Sequence, residues 1–301
     1  MPIKFRTYVN DTKFGQDYYK LREFLIALDD SSYHFGRWDW MITHGMLDIN
    51  GLEKIGIWED DGEIVALATY DTNSNLSGAY WFPYNKEYAY LLGDIFAYAK
   101  ENLAMDGILE IAIRDGDEHF QNTAAKMGFV PTQDKECDSM FPIEVDKIEY
   151  KLPEGFTITS MKESYDLFKY GQVLWKGFNH EANGEGPFVF KDEDLPEWDM
   201  AFNRPNVNLD LKIAVVAPNS DFVSYCGMWH DPASKSVLVE PVATDPAYRR
   251  MGLGRAAVLE AIRRCGKLGA TNAFVVSSQQ FYYSIGFRPI STSTFWRALS
   301  P

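Results

Sequence analysis

The sequence predicts an α/β protein of two homologous domains. A hairpin signal occurs twice, a proline-to-helix-to-glycine run follows it each time, and each copy closes on a strand, a short helix and a Gly-Phe pair. The first hairpin is Lys54–Tyr70, where two β-prone runs meet at Asp60-Asp61-Gly62, and the second is Lys212–Trp229. Pro83 then leads into a helix near Tyr88–Leu103, and Pro246 into one near Leu253–Lys267, with Gly107 and Gly269 as stop signals. Apolar strands at Ile108–Ile113 and Ala273–Val276 come next, followed by Gly128-Phe129 and Gly286-Phe287. A repeat of this length indicates domain duplication, because solenoid periods are roughly 20–50 residues. Charge, Pro and Gly gather over Glu144–Gly155, which predicts a division into 1–147 and 148–301.

Composition bounds the function. A chain of 301 residues that is 46% hydrophobic and 15% aromatic can bury a substantial core. No stretch approaches ~18 consecutive apolar residues and the N-terminus lacks the apolar region of a secretory signal, so a soluble, cytoplasmic protein is expected. Cys137, Cys226 and Cys265 are odd in number and widely spaced, which predicts free thiols in a reducing compartment. A net charge of −14 argues against nucleic acid or an anionic membrane as partner. It would welcome a small cation, although acidity also serves solubility alone. No metal-ligand spacing is present, so no metal is expected.

The richest stretch is Thr244–Ala257, where a β-branched run gives way to helix through Gly252 and Gly254, with Arg249, Arg250 and Arg255 beside them. Glycines let the main chain pass close to a ligand, and a helix N-terminus carries about half a positive charge. The arrangement predicts a phosphate-bearing cofactor. Before it, Ser236–Thr244 alternates as a strand, which predicts Leu238, Glu240, Val242 and Thr244 on one face. Pro241 suits a bulge or a place where neighbouring strands separate.

The order of strand, Arg249-Arg250-x-Gly252-x-Gly254, long helix, strand and Tyr282-x-x-x-Gly286-Phe287 resembles the GNAT superfamily of acyl-CoA-dependent N-acyltransferases. The C-terminal half matches in detail, and the whole is similar in layout to tandem GNAT proteins. The resemblance implies two domains, each a twisted mixed sheet flanked by helices, with acetyl-CoA in a V-shaped opening between the fourth and fifth strands of the C-terminal one. It implies cofactor contacts along Val242, Ala243 and Thr244, whose backbone would pair with pantetheine, and from Arg249 and Arg250 through Met251, Gly252, Leu253, Gly254 and Arg255 to Ala256. In the N-terminal half Ala89 and Leu91 stand where Gly252 and Gly254 do, and Ala124 stands where Tyr282 does, so that half reads as structural or substrate-framing.

Acyl transfer to an amine needs a base, since an amine of pKa ~10.4 is only about one part in two thousand neutral at pH 7. Glu240 is the first candidate, with pairing to a cation as the bland alternative; His230 and Asp231 are weaker. The family places a tyrosine acid four residues before the Gly-Phe pair, which implies Tyr282 as proton donor to the departing thiolate, against a plain core-aromatic role. His180 and Glu181 open a loop-rich stretch to about Pro205 and are candidates for acceptor contact. The acidic run Asp192, Glu193, Asp194, Glu197 and Asp199 within it reads as a solvated face. The aromatic 34–48 segment reads as packing before it reads as a cleft wall. The expected function is acetylation of a small amine. The alternatives are a peptide or protein N-terminus as acceptor, or a non-catalytic acyl-CoA sensor or scaffold.

Overall fold

A computed structural model of the chain describes all residues except 1, 11, 45, 46, 48, 71–78, 105, 106, 192, 194, 300 and 301, and the side chains of 79, 197, 200 and 299 also lie outside the description. Two compact units form. The first comprises 1–139 with 276–279 and 289–301, and the second comprises 140–275 with 280–288. The C-terminal strand therefore belongs to the first unit.

In the first unit the strands run β1 (Lys4–Thr7), β2 (Gly56–Asp60), β3 (Glu63–Tyr70), β4 (Ala79–Trp81), β5 (Ile108–Arg114), β12 (Arg288–Leu299) and β6 (Val130–Pro142), in that spatial order. The β2–β3 hairpin closes on two residues, Asp61 at φ 51° and Gly62 at φ 88°, the left-handed pair that matches the twist of the strands it joins. The helices are α1 (Gln16–Leu28), α2 (Phe35–Thr43), α3 (Leu92–Asn102) and α4 (Glu118–Lys126). The sequence places the start of α3 near Tyr88. Instead Lys86–Leu91 forms a 3-10 turn and the α-helix opens at Leu92. The 34–48 aromatics are packing where described. Trp38 is fully buried, and buried His34 caps α2, its Nδ1 accepting from the Gly36 N–H at 3.0 Å. Burial holds the His34 pKa down to about 3, so its ring stays a neutral acceptor.

In the second unit the order is β11 (Asn272–Val276), β10 (Ser236–Thr244), β9 (Phe222–Trp229), β8 (Lys212–Val216) and β7 (Thr157–Ser160). Only β10–β11 is parallel among these pairs. Two faces are covered. On one, α7 (Leu253–Lys267) packs Ala257, Val258, Ala261, Ile262 and Cys265 against Ile213, Val215, Cys226, Met228, Val237 and Val239. Fully burying a Val, Ile or Met side chain contributes about 1.5–3 kcal/mol. On the other, α5 (Leu167–Gly177) lies with Tyr225 and Phe222 in a separate cluster. The loop-rich stretch after Gly177 is only partly irregular, because α6 (Leu195–Phe202) lies within it. Its apolar residues explain the helix, with Phe202 buried and Trp198 packed on the α5 cluster. Asp192 and Asp194 of the acidic run lie outside the described residues, as does the Glu197 side chain.

Among the described residues no helix is long and apolar enough to cross a membrane. All three cysteines are free thiols, and burial pushes Cys265 up to about 12, with Lys212 acting in the opposite sense.

The approach of β9 to β10 generates a stability prediction. A Cβ on Gly227 would stand 2.5 Å from the Glu240 carbonyl oxygen, a backbone atom that cannot swing aside. Gly227→Ala is expected to lower stability by about 1–3 kcal/mol in urea denaturation. A midpoint equal to that of the parent would show that the strands can part there without cost.

Candidate functional site

The site begins where β10 loses its regular pairing. Val239 pairs with Met228 and Val242 with Cys226, so two residues, Glu240 and Pro241, face a single residue of β9, Gly227. The extra residue reverses the alternation. Leu238 consequently lies on the face of Trp229, whereas Val242 and Thr244 lie on the opposite face with Cys226 and Ser224. This corrects the expectation of Leu238, Glu240, Val242 and Thr244 on one face, and it places the bulge at Pro241, which has no N–H for the ladder. The Trp229 indole donates to the Glu240 carbonyl at 3.0 Å and holds the bulge.

On its other edge β10 pairs with β11 only at Ser236, Val237 and Leu238, although β10 itself runs on to Thr244. The ladder ends at the bulge. Beyond it an edge is open, bearing Glu240, Val242, Ala243 and Thr244. Val242, Ala243 and Thr244 pair with Cys226, Tyr225 and Ser224 on β9, and in an antiparallel ladder the intervening groups point the other way, toward that edge.

The chain then turns at Pro246–Tyr248 and enters α7 through two left-handed residues, Arg250 at φ 64° and Gly252 at φ 82°. Gly252 is the N-cap and no side chain caps the helix. Its first backbone bond is the Ala256 N–H to the Gly252 carbonyl at 3.0 Å. The N–H groups of Leu253, Gly254 and Arg255 precede that bond and have no intrahelical acceptor. An anion there gains up to about 2 kcal/mol when partly buried. The two glycines serve different ends. A Cβ on Gly252 would meet nothing within 4 Å, so glycine is needed for its φ. On Gly254 it would lie 2.9 Å from the Thr244 hydroxyl and 3.2 Å from the Phe281 ring, so glycine lets the helix start close to β10. Met251 and Arg250 are exposed and Ala256 is buried. The arginines do not all face one spot: Arg255 donates to the Ser284 carbonyl at 3.0 Å, and Arg249 reaches back to Gly177 and Asn179. A cavity of about 640 Å³ adjoins the cradle, lined by Gly252, Arg255, Arg263, Tyr150 and Lys151 among others. This cradle fits a pyrophosphate and the open edge fits an extended chain bearing amides.

Tyr282 lies on α8 (Gln280–Ile285), 8% exposed, with its ring against Phe281 and Phe287. Burial pushes its hydroxyl well up from the usual range, and the nearby Cys226 thiol and Glu240 carboxylate add to the rise. Tyr282 and Glu240 are therefore within electrostatic reach of each other. The sequence reading missed Tyr170. It lies on α5, its ring 4.9 Å from that of Tyr225, and its hydroxyl is pushed up first by burial and then by Glu240. Glu240 thus acts on two tyrosines from different helices. The only sequence signal for Tyr170 is a helical aromatic ahead of the bulged strand. His180 stacks on Trp175, centroids 4.2 Å apart, with its Nδ1 2.9 Å from Glu185, and Glu181 is exposed. Among the described residues no group of three or more His, Cys, Asp or Glu is placed to hold a metal ion.

The first unit repeats the local geometry without the site. After α4 the Phe129 N–H bonds to the Ala124 carbonyl, as the Phe287 N–H bonds to that of Tyr282, and Gly128 and Gly286 are both left-handed. Ala124 is the geometric counterpart of Tyr282. In place of the left-handed entry, the chain after Pro83 runs through its 3-10 turn directly into α3, with Leu91 right-handed at φ −76°. Where β4 ends, Phe82 packs on Phe96 and Phe120 at 5.4 and 6.1 Å, all three rings buried.

Residues 175–287 match the model of the acetyltransferase (GNAT) family. The fold of the whole chain is shared with solved structures of low identity. A GCN5-related N-acetyltransferase from Sphaerobacter thermophilus is 13% identical, with 99% of this chain and 96% of that one covered and a TM-score of 0.59. A tandem GNAT protein from the clavulanic acid biosynthesis pathway is 10% identical, with 100% and 99% covered and a TM-score of 0.59. The N-myristoyltransferase of Saccharomyces cerevisiae, solved with myristoyl-CoA, is 11% identical, with 99% and 81% covered and a TM-score of 0.53. No curated protein sequence matches the chain significantly.

The distinct duties of the two glycines can be separated in a double-mutant cycle. Gly254→Ala is expected to cost about 1–3 kcal/mol and to be partly relieved in a Thr244→Ala background, which removes the hydroxyl it meets. Gly252→Ala is expected to cost about 1–2 kcal/mol in either background, because its penalty is conformational. Equal relief of both by Thr244→Ala would mean that Gly252 also is held by packing.

Proposed function

We propose that the chain is a tandem-domain protein of the GNAT superfamily and an acetyl-CoA-dependent N-acetyltransferase, cytoplasmic, whose acceptor is a small amine and whose second unit carries the reaction, a reading supported by the family match over 175–287 and the shared fold. The observation that supports this most is the end of the β10–β11 ladder at Leu238–Phe274, which leaves Glu240, Val242 and Thr244 on an open edge that leads to the uncapped start of α7.

Acetyl-CoA supplies an activated acyl group as a thioester. The N–H groups of Leu253, Gly254 and Arg255 would hold its phosphates, and the backbone along Val242 to Thr244 would bind its pantetheine, the Thr244 carbonyl being already engaged by Arg249. A backbone N–H next to the bulge polarises the thioester carbonyl as charge develops on the oxygen. Glu240 takes the proton of the ammonium, directly or through a water, and the amine nitrogen forms its bond to the acyl carbon as the carbon–sulfur bond breaks. Tyr282 donates its proton to the departing sulfur and regains one from the second N–H proton that the nitrogen sheds as the amide forms. Burial keeps the hydroxyl protonated and makes it a weaker acid than an exposed phenol. The net charge of −14 favours approach of a cationic acceptor. His180 and Glu181, just after α5, are assigned to acceptor contact in this reading. The first unit, with Ala124 and the Phe82 cluster at the corresponding positions, acts as a scaffold.

The test is release of free coenzyme A from acetyl-CoA with a panel of small amines and peptides. Turnover of a small amine supports the proposal, turnover of peptides alone replaces its acceptor, and cofactor binding without any turnover makes the chain a sensor. With a working amine, Glu240→Gln is expected to lower turnover about 10²-fold at neutral pH and to recover partly as pH approaches the amine pKa. A pH-independent ratio of mutant to parent would move the base elsewhere. Tyr282→Phe is expected to lower turnover roughly 10²–10⁴-fold while acetyl-CoA affinity changes little. If affinity collapses with turnover, Tyr282 packs the cofactor and is not the acid.

A further inference from the structure

Arg249 opens the cradle sequence, yet its side chain turns away from the helix start. Its Nη2 donates to the Gly177 carbonyl at 2.8 Å and to Asn179 Oδ1 at 2.9 Å, and its Nε to the Thr244 carbonyl at 3.2 Å. Gly177 is the last residue of α5, so its carbonyl is one of those a helix leaves without an internal partner, at the end that favours a cation. The seat is close. A Cβ on Gly177 would lie 2.6 Å from that of Ala243 and 2.9 Å from the Thr244 nitrogen. Lys176 adds a second tie to Asp245 at 3.4 Å. Asn179, at φ 66°, then reverses the chain into the turn that carries His180, stacked on Trp175 and bonded to Glu185. The end of α5 and the start of the acceptor-side loop are thus fastened to the two residues that lead β10 into the cradle.

We propose that the Arg249 side chain is a positioning residue for the 177–186 segment, which contacts the acceptor, and that it does not bind the cofactor's phosphates. This rests on the reading of that segment as acceptor-facing. A planar guanidinium suits the task because it spans the Gly177 carbonyl, the Asn179 amide oxygen and the Thr244 carbonyl at once, whereas an ammonium can satisfy them only as a point charge.

The test uses the full chain with Arg249→Ala, Arg249→Lys and Asn179→Ala, read by hydrogen exchange, by calorimetric titration with coenzyme A and by steady-state kinetics on the best amine. Arg249→Ala is expected to speed amide exchange across 178–186 about tenfold and to leave coenzyme A affinity within about threefold. It is also expected to raise KM for the amine about tenfold, with kcat changed less. Arg249→Lys should restore part of this, and Asn179→Ala should add little in the Arg249→Ala background. A tenfold or greater loss of coenzyme A affinity overturns the proposal and makes the side chain a phosphate ligand. Unchanged exchange over 178–186 overturns it as well, by showing that the segment is held elsewhere. If the parent chain turns over no amine, the functional reading fails separately, and exchange still decides whether Arg249 holds the loop.

Discussion

The second unit depends on one local event, the reversal of alternation at Glu240–Pro241. A regular strand carries one set of side chains to one face throughout. With two residues opposite Gly227, β10 presents Val237 and Val239 to the α7 side before the bulge, and Val242 and Thr244 to the same side after it. The extra residue also coincides with the end of pairing to β11. The apolar core, the open edge and the placement of Glu240 therefore share one cause. Gly227 is the partner of that distortion, since only a residue without a Cβ fits under the Glu240 carbonyl.

The cradle follows from β10 by contact. Gly254 brings the first turn of α7 against Thr244, whose hydroxyl lies 2.9 Å from that of Ser224, and Phe281 of α8 closes on the same glycine. Gly252 contributes a left-handed entry that leaves the first N–H groups uncapped. The uncapped helix start and the strand edge are thus built by the same few residues. Burial of Tyr282, with the Cys226 thiol and Glu240 adding to the effect, keeps its hydroxyl protonated.

The two units share one order of elements but not one entry to the long helix. The turn after the short helix shares two backbone bonds between the units, Gly128 to Ala125 with Gly286 to Tyr283 and Phe129 to Ala124 with Phe287 to Tyr282, so Ala124 stands in the place of Tyr282. The entry to the long helix differs. A 3-10 turn ending in right-handed Leu91 stands where Arg250 and Gly252 give a left-handed entry, and Phe82, Phe96 and Phe120 pack together in the same unit. The buried apolar core that stabilises the unit is retained in full.

By itself the sequence determined the order of elements, the duplication, the helix 253–267, the hairpin at Asp61-Gly62 and the break at Pro241. Each of these is a local matter of φ, of a missing N–H or of side-chain period. Tertiary structure decided what depends on partners distant in the chain. The faces of β10 after the bulge follow from its register with β9, and a sequence shows alternation but not a slip in it. The C-terminal strand pairs with β5, so its unit is set by a ladder formed across more than 170 residues. Tyr170 comes near Glu240, and Arg249 near Gly177 and Asn179, because α5 packs over β9 and β10. No spacing in the sequence encodes contacts of that range, since they are made only when a helix and a sheet bury their apolar faces together.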